Sequence, residues 1–302
     1  MLAIAVSSHE LRYINWDKQV DDVRLVACQV IPWEQEVDGF HNVASIRKMI
    51  QTVLAEVEEE DQSLVYVTLD AAFCNYSVMG IDPAWDVKEQ LGFIRKNRFG
   101  DRPFYDSFQF ALDDAAGLYL NIDCPAVLRR AVDAALPRNA DGAAHQLSIG
   151  IFSAYSYANQ VVPGLDRGRR LFWRASELGN DQFLEVQNGQ FQALHLLQRD
   201  GSKVVQVTTV GRSDLKEPLA AFVEQLTGGE DALFPEIESV FVYLGSGNAD
   251  FLASILGREQ SSLSLLNPFW RWNWPEVPEA DNRFTQSAFA ELADAIWVSQ
   301  RV

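Results

Sequence analysis

The stretch FVYLGSGNADFLASIL, residues 241–256, joins a short apolar run to a segment whose apolar residues recur at helical spacing. This pattern predicts a β-strand that enters an α-helix through the turn Gly245-Ser246-Gly247-Asn248. A glycine-rich turn lets the backbone approach a phosphate or a flat base closely, but it is also common for purely steric reasons. Both interpretations stay open at this point, so the rest of the chain bears on the function of the turn.

The composition is that of a folded protein. The 302 residues are 48% hydrophobic and include eight Trp, which suffices for one large two-lobed domain or two ordinary ones. A formal net charge of -17, with no Lys and Arg stripe to reverse it locally, excludes nucleic acid as the expected partner. No apolar run approaches the roughly 20 residues of a spanning helix, and residues 1–6 lack the basic leader of a signal peptide. We therefore expect a cytoplasmic protein with no direct membrane insertion.

The usual catalytic and metal-binding motifs are absent from the sequence. The four His are scattered, and there is no HExxH, GxSxG, Walker-type or GxGxxG motif. Cys28, Cys74 and Cys124 are far apart in the sequence and lie among apolar neighbours, which predicts reduced, buried thiols rather than a disulfide framework or a zinc site. We expect no catalytic residue and no metal ligand.

The same order of predicted elements, namely strand, hairpin, strand, helix and strand, occurs in both halves of the chain. In the first half these are strands at 2–6, 11–16 and 23–31, a helix over 43–57 and a strand at 64–69. In the second half they are strands at 183–186, 191–198 and 204–210, a helix over 215–226 and the strand of the opening stretch. This order is typical of a duplicated α/β lobe.

Two further segments complete the predicted organisation. Strands at 73–79, 104–112 and 118–122 and helices over 85–96 and from Pro125 fill the region between residues 70 and 137. Residues 138–144, rich in Asn, Asp and Gly, are typical of a linker. We therefore place a first lobe at residues 1–144 and a second lobe at 145–302.

Taken in order, these elements resemble the actin-like ATPase fold, in which two RNase H-like lobes flank a nucleotide cleft. Within that superfamily the chain resembles PilM-type pilus assembly proteins, relatives of FtsA and of the cytoplasmic part of GspL. LAIAVSSHELRYINW (2–16), FLEVQNGQFQALHLLQRDG (183–201) and the opening stretch resemble the first phosphate loop, the second phosphate hairpin and the adenosine turn. LNPF (266–269) is similar to an Asn-Pro-Phe stretch of the pilus proteins. The resemblance implies an FtsA/PilM-type subdomain inserted at about 70–137, and a last helix over 285–300 that packs back toward the first lobe.

The resemblance also implies a cleft for ATP or ADP, but several matching residues have changed. The positions that match cofactor-binding residues are Ser7, Ser8, Arg12, Glu185, Gly245, Ser246 and Gly247. The carboxylate that organises Mg²⁺ is matched by Ala5, the first-loop glycine by Ser7 and the second-hairpin glycine by Gln187. Since Mg²⁺ requires hard oxygen ligands in near-octahedral geometry, we expect a degenerate cleft, no cofactor and no ATP hydrolysis.

The resulting hypothesis is a pseudo-ATPase of a pilus or secretion assembly, acting as a non-catalytic adaptor. It would bind a short cytoplasmic segment of an inner-membrane protein and reach the membrane through that partner. PilM-type proteins hold such a segment at the first lobe and its inserted subdomain, which implies residues 73–79 and 99–108 here. The alternative is an active ATPase or small-molecule kinase of the same superfamily. A third hypothesis is a free-standing protein of this fold with unrelated ligands.

Two other clusters have open interpretations. Alternation would place Trp270, Trp272 and Trp274 on one face of an extended segment, either as a peptide-binding platform or as a cover for the edge of a core. A basic cluster at 95–102 is suited to an acidic partner, and charge stabilisation of a helix C-terminus explains it as well.

Overall fold

The structure is a computed structural model that describes residues 1–18, 23–38, 40–58, 65–80, 84–86, 89, 92, 105–113, 118–137, 145–232, 234, 237–257, 263–269 and 282–301. Several sequence predictions lie outside these residues, namely the basic cluster, the linker at 138–144, the Trp270–Trp274 segment, most of the helix over 85–96 and residues 99–104.

The strands are β1 Leu2–Val6, β2 Glu10–Lys18, β3 Val23–Pro32, β4 Val65–Leu69, β5 Asn75–Gly80, β6 Tyr105–Asp113, β7 Leu118–Pro125, β8 Gln146–Ile149, β9 Arg169–Ser176, β10 Asn180–Gln187, β11 Gln190–Asp200, β12 Lys203–Gly211, β13 Ser239–Ser246 and β14 Leu263–Leu265. The helices are α1 Val43–Glu56, α2 Ala126–Ala135, α3 Gly150–Val161, α4 Lys216–Gly228, α5 Ala249–Leu256, α6 Asn282–Ser287 and α7 Ala293–Arg301. None of these helices in the described part of the chain is long and apolar enough to span a bilayer.

The first sheet has the strand order β3-β2-β1-β4-β8. Strand β1 is antiparallel to β2 and parallel to β4, and all five of its residues are buried because it lies at the centre of the sheet. Helix α1 buries Ile46, Ile50 and Val53, which share one face at helical spacing, in the same core as β1 and β4. This packing fixes the position of the β1–β2 turn.

The second sheet has the order β12-β11-β10-β9-β13-β14. From β11 to β14 its strands follow the order and directions of the first sheet, and β12 is added at one edge. Helix α4 buries Leu219, Phe222 and Val223 in the core that contains Trp173 and Phe183 of this sheet. The rings of Trp173 and Phe183 stack with centroids 5.2 Å apart.

Strand β9 corrects the sequence analysis of the second half, which placed the first strand at 183–186. The strand equivalent to β1 is β9, so residues 183–186 belong to the second strand of this sheet. The turn equivalent to β1–β2 is therefore β9–β10, one strand earlier than predicted. Arg170 and Arg174 interrupt the apolar pattern of β9, so the sequence gives no clear strand signal there. Both guanidinium groups form hydrogen bonds within the protein.

A third sheet, with the order β5-β7-β6, lies between β4 and β8 in the chain and contacts α2. Leu120 and Ile122 of β7 share a core with Leu128 and Val132 of α2 and with the first sheet. Strands β5 and β6 are the two edges of this small sheet. In addition, β5 contacts β12 of the second sheet.

The predicted last helix over 285–300 is interrupted in the structure. Helix α6 ends at Ser287, a 3-10 turn covers Ala290–Leu292, and α7 follows. The indole nitrogen of Trp16, on β2, donates to the hydroxyl of Ser299 at 3.3 Å, so α7 contacts the first sheet. The interruption places a short irregular segment between the two large sheets.

Candidate functional site

Three turns meet between the two large sheets: the β1–β2 turn, the β9–β10 turn and the β13–α5 turn. Nε2 of His9 in the first turn lies 3.2 Å from Nδ2 of Asn180 in the second. The hydroxyl oxygens of Ser176 and Ser246 are 2.5 Å apart and join the second turn to the third. The structure therefore brings together residues that are remote in the sequence, and their surroundings form the candidate site.

Arg174, on β9, is the central cation of the site and is only 2% exposed. Its Nε donates to Oε1 of Glu291 at 2.7 Å, and a terminal nitrogen lies 3.2 Å from Oδ2 of Asp70, the residue after β4. Burial disfavours the charged form, but Asp70 and Glu291 outweigh that penalty and raise the pKa of Arg174. Arg174 thus remains a cation that links the second sheet to the first sheet and to the C-terminal segment.

Arg12, on β2, makes a second set of links from the first sheet. One terminal nitrogen donates to the carbonyl oxygen of Leu244 at 2.6 Å and to that of Ala288 at 2.5 Å. The other terminal nitrogen donates to the carboxylate of Glu10. Burial lowers the pKa of Arg12, the Glu10 carboxylate opposes that shift, and the positive charge of Arg174 adds to it. Two guanidinium groups and their carboxylates therefore occupy the space where the turns meet.

The glycines of the opening stretch lie against side chains of the chain itself. A Cβ atom on Gly245 would lie 2.5 Å from Cγ of Arg174, and one on Gly247 would lie 2.3 Å from Cβ of Glu177. Gly247 also has a φ of +99°, which side chains rarely adopt. Oδ1 of Asn248 accepts a hydrogen bond from the Phe251 amide and caps α5. The turn thus makes room for Arg174 and Glu177 and starts a helix.

Six of the seven predicted cofactor residues lie in or beside these turns: Ser7, Ser8, Arg12, Gly245, Ser246 and Gly247. Glu185 is the exception. It lies in the middle part of β10, where its carboxylate accepts from Nε of Arg169 at 2.7 Å and lies 3.3 Å from Nε2 of His195. Without a prediction of β9, the hairpin that follows residues 183–186 stood for the second turn, and Glu185 lies beside that hairpin rather than beside the β9–β10 turn.

The contacts of Glu185 predict a pH-dependent contribution to stability. Burial acts to raise the pKa of Glu185, but hydrogen bonds from His195, Ser213 and Arg169 outweigh it and lower the pKa below the ordinary 4.5. A pKa that is lowered in the folded state stabilises the fold at pH values above the ordinary pKa. This stabilisation is lost as the pH falls through the pKa of the folded state. We expect Glu185→Gln to cost about 1–3 kcal/mol at about pH 7 and clearly less at about pH 3.

Urea unfolding at the two pH values measures this difference. The matched control is Asp133→Asn, which removes an exposed carboxylate. Its cost should be small at both values. An equal cost of Glu185→Gln at both pH values would show that the carboxylate charge is not what stabilises the fold.

Asp70, Arg174 and Glu291, the residues that fill the site, were missed by the sequence analysis. Each is a single charge within or at the end of an apolar segment: LVYVTLD for Asp70, LFWRAS for Arg174 and AFAELA for Glu291. An isolated charge in an apolar strand is a signal for a buried ion pair, because burying an unpaired charge is prohibitively costly. That signal identifies the charged residues of the network but not which of them pair with each other.

The residues present do not fit a magnesium-bound nucleotide. Ala5, which the sequence resemblance matches to the carboxylate that organises Mg²⁺, offers no oxygen ligand, and the nearby carboxylates of Asp70 and Glu291 already face the guanidinium group of Arg174. Oδ1 of Asp70 accepts from the Ala72 amide at 2.8 Å, and its other oxygen faces Arg174. Across the described residues, no group of three or more His, Cys, Asp or Glu side chains is placed to hold a metal ion.

Neither a protein-family model nor a curated protein sequence matches the chain. A solved structure described as a PilM–PilN type IV pilus biogenesis complex aligns over 98% of this chain and 97% of its own, with a TM-score of 0.62 and 14% identity. A Bacteroides thetaiotaomicron protein described as having an actin-like ATPase fold and unknown function aligns over 88% of this chain and 90% of its own, with a TM-score of 0.46 and 9% identity. The chain has an actin-like ATPase fold.

A further match is the cytoplasmic domain of EpsL, described as an inner membrane component of the type II secretion system of Vibrio cholerae. It aligns over 96% of this chain and 93% of its own, with a TM-score of 0.44 and 12% identity. The sequence resemblance assigns the nucleotide to three segments of the chain. In the structure, the β1–β2 turn and the β13–α5 turn belong to two of these segments, and the β9–β10 turn takes the place of the predicted second hairpin. The ion-pair network of Arg174 thus lies where these three turns meet.

Proposed function

We propose that this protein is a pseudo-ATPase that serves as a non-catalytic adaptor in a pilus or secretion assembly system. The observation that carries the proposal is the network of Arg174, Asp70 and Glu291, which fills the cleft with charges of the chain itself. Arg12 adds hydrogen bonds to the carbonyl groups of Leu244 and Ala288. Together these contacts hold the two sheets and the C-terminal segment in one arrangement without a nucleotide.

The enzyme alternative requires the network to open. A nucleotide phosphate would have to displace Glu291 from Arg174, and Mg²⁺ would have to bind beside two guanidinium groups. Breaking a buried ion pair by removing one partner typically costs about 3–5 kcal/mol, because the other charge is left buried and unpaired. We therefore favour the adaptor over the ATPase or kinase.

The partner we propose is a cytoplasmic segment of an inner-membrane assembly protein. The solved structure with a TM-score of 0.62 is described as a PilM–PilN complex, so a protein of this fold is known with an assembly partner. Cytoplasmic segments of membrane proteins carry an excess of Lys and Arg, and the net charge of -17 on this chain would attract them. In this proposal the adaptor is cytoplasmic and reaches the membrane through its partner.

The proposed docking site runs along β5, which overlaps the predicted segment 73–79. As an edge strand of its sheet, β5 pairs with β7 on one side and contacts β12 without pairing with it, and an extended peptide can pair with such an edge. A cleft of about 260 Å³ beside it is lined by amides, among them Asn75, Gln198 and Gln206. Gln182 also lines this cleft, and its Oε1 is buried without a hydrogen-bond partner among the described residues. These amides would suit the main chain of an extended peptide.

Site-specific photo-crosslinking in cells that naturally produce the chain tests the adaptor proposal. A photoreactive residue at Val78, which is 39% exposed on β5, is expected to crosslink to a protein of the membrane fraction. The matched control is Val30, 40% exposed on β3, which should give no such product. Equal products from both positions, or none from Val78, would contradict the proposed site.

A further inference from the structure

Two cysteines that are remote in the sequence meet at the start of β5. The register between β5 and β7 pairs Asn75 with Asp123 and Ser77 with Asn121. When this register is extended by one residue beyond the Asn75–Asp123 pair, Cys74 lies opposite Cys124. Residues directly opposite in an antiparallel pair have Cα atoms about 4.5–5.5 Å apart, within the range that disulfides span. The sequence predicts reduced, buried thiols that are remote in the chain, and the structure places these two in contact.

The two thiols differ in their access to solvent. Cys124 is 0% exposed, whereas Cys74 is 7% exposed and lines the 260 Å³ cleft beside β5. A hydrogen bond with Cys124, together with burial, raises the pKa of Cys74 well above its ordinary value. Because Cys74 lines the cleft, a small oxidant can reach this one sulfur of the pair. Because the pKa of Cys74 is raised, the fraction of reactive thiolate at this sulfur increases at alkaline pH.

We propose that Cys74 and Cys124 are a redox modification site that a peroxide converts to a disulfide. The Cys74 thiolate attacks one peroxide oxygen, the O–O bond breaks, and a sulfenic acid and hydroxide form. The Cys124 thiol then attacks the Cys74 sulfur, the S–S bond forms, and the sulfenic hydroxyl leaves as water. The two sulfurs are oxidised, the peroxide is reduced, and an added dithiol reverses the reaction by exchange.

The position of the pair gives the disulfide a structural effect. Cys74 follows the 3-10 turn Ala71–Phe73 at the entry to β5, and Cys124 lies near the end of β7. The bond would close the loop between them and restrict the unfolded chain, so the oxidised protein should melt at a higher temperature than the reduced one. This inference does not depend on the adaptor function.

Peptide mapping of the native protein after hydrogen peroxide treatment tests the inference. After alkylation of the remaining thiols under denaturing conditions, we expect a linked peptide containing Cys74 and Cys124, formed faster at alkaline pH. Cys74→Ser and Cys124→Ser should each abolish the linked peptide, whereas Cys28→Ser should retain it. The oxidised wild-type chain should also show a raised melting temperature that dithiol reduction reverses.

Two results would overturn the inference, and neither requires a variant that folds. One is oxidation of Cys74 to sulfinic or sulfonic acid in the wild-type chain without any linked peptide. The other is a linked peptide that forms in urea but not in the native protein, since this would show that the folded geometry does not bring the sulfurs together.

Discussion

Arg174→Ala is expected to lower the free energy of unfolding by about 3–5 kcal/mol. The variant leaves the carboxylates of Asp70 and Glu291 buried, 3% and 6% exposed, without the cation that faces both of them. Tyr243, which donates to Oε1 of Glu291 at 3.0 Å, cannot neutralise that charge. Because the ion pairs join the first sheet, the second sheet and the C-terminal segment, the loss should loosen contacts between all three.

Urea unfolding monitored by tryptophan fluorescence measures the effect. The matched control is Arg129→Ala, which breaks an exposed pair with Asp133 one helical turn away and should cost less than about 0.5 kcal/mol. A triple variant with Arg174→Met, Asp70→Asn and Glu291→Gln should recover part of the loss, since it removes the unpaired charges. Equal costs for Arg174→Ala and Arg129→Ala would show that the network does not hold the sheets together.

The order of elements was predictable because most strands and helices of this chain carry a clear apolar period. The first sheet illustrates this, since β1, β2 and β3 lie close to their predicted bounds and alternate or are fully apolar. Strand β9 was not predictable in this way. Its sequence RRLFWRAS carries three arginines, and each forms ion pairs or hydrogen bonds within the protein that no local pattern reveals.

The site was predictable only in part, for a related reason. The sequence pattern located the turn at Gly245, and the resemblance to the actin-like fold implied the loss of a carboxylate at Ala5, since both are local features. It could not reveal that the space beside Gly245 belongs to Arg174, because that contact depends on how β9 and β13 pair. The contacts observed at the opening turn fit the steric interpretation of its glycines, but the sequence could not identify Arg174 and Glu177 as the side chains that require them.

The second large effect concerns nucleotide binding, for which we expect essentially none. The terminal nitrogens of Arg12 and Nε of Arg174 already have internal acceptors, so a triphosphate gains little from them unless Glu10 and Glu291 are displaced. The glycines of the β13–α5 turn are covered by Arg174 and Glu177, so a base could not approach the backbone without moving both side chains. Each displacement must be offset by binding energy. Among the described residues, no group of three or more His, Cys, Asp or Glu side chains is placed to hold Mg²⁺.

Calorimetric titration of the native chain with Mg-ATP, paired with an assay of phosphate release, tests the claim that its own charges fill the cleft. We expect no saturable heat below about 1 mM nucleotide and no phosphate release above background. The contradictory result is a micromolar Kd that Gly247→Trp abolishes and Gly201→Trp retains. Gly201 is the matched control because it also has a positive φ, +60°, with open space where a side chain would lie.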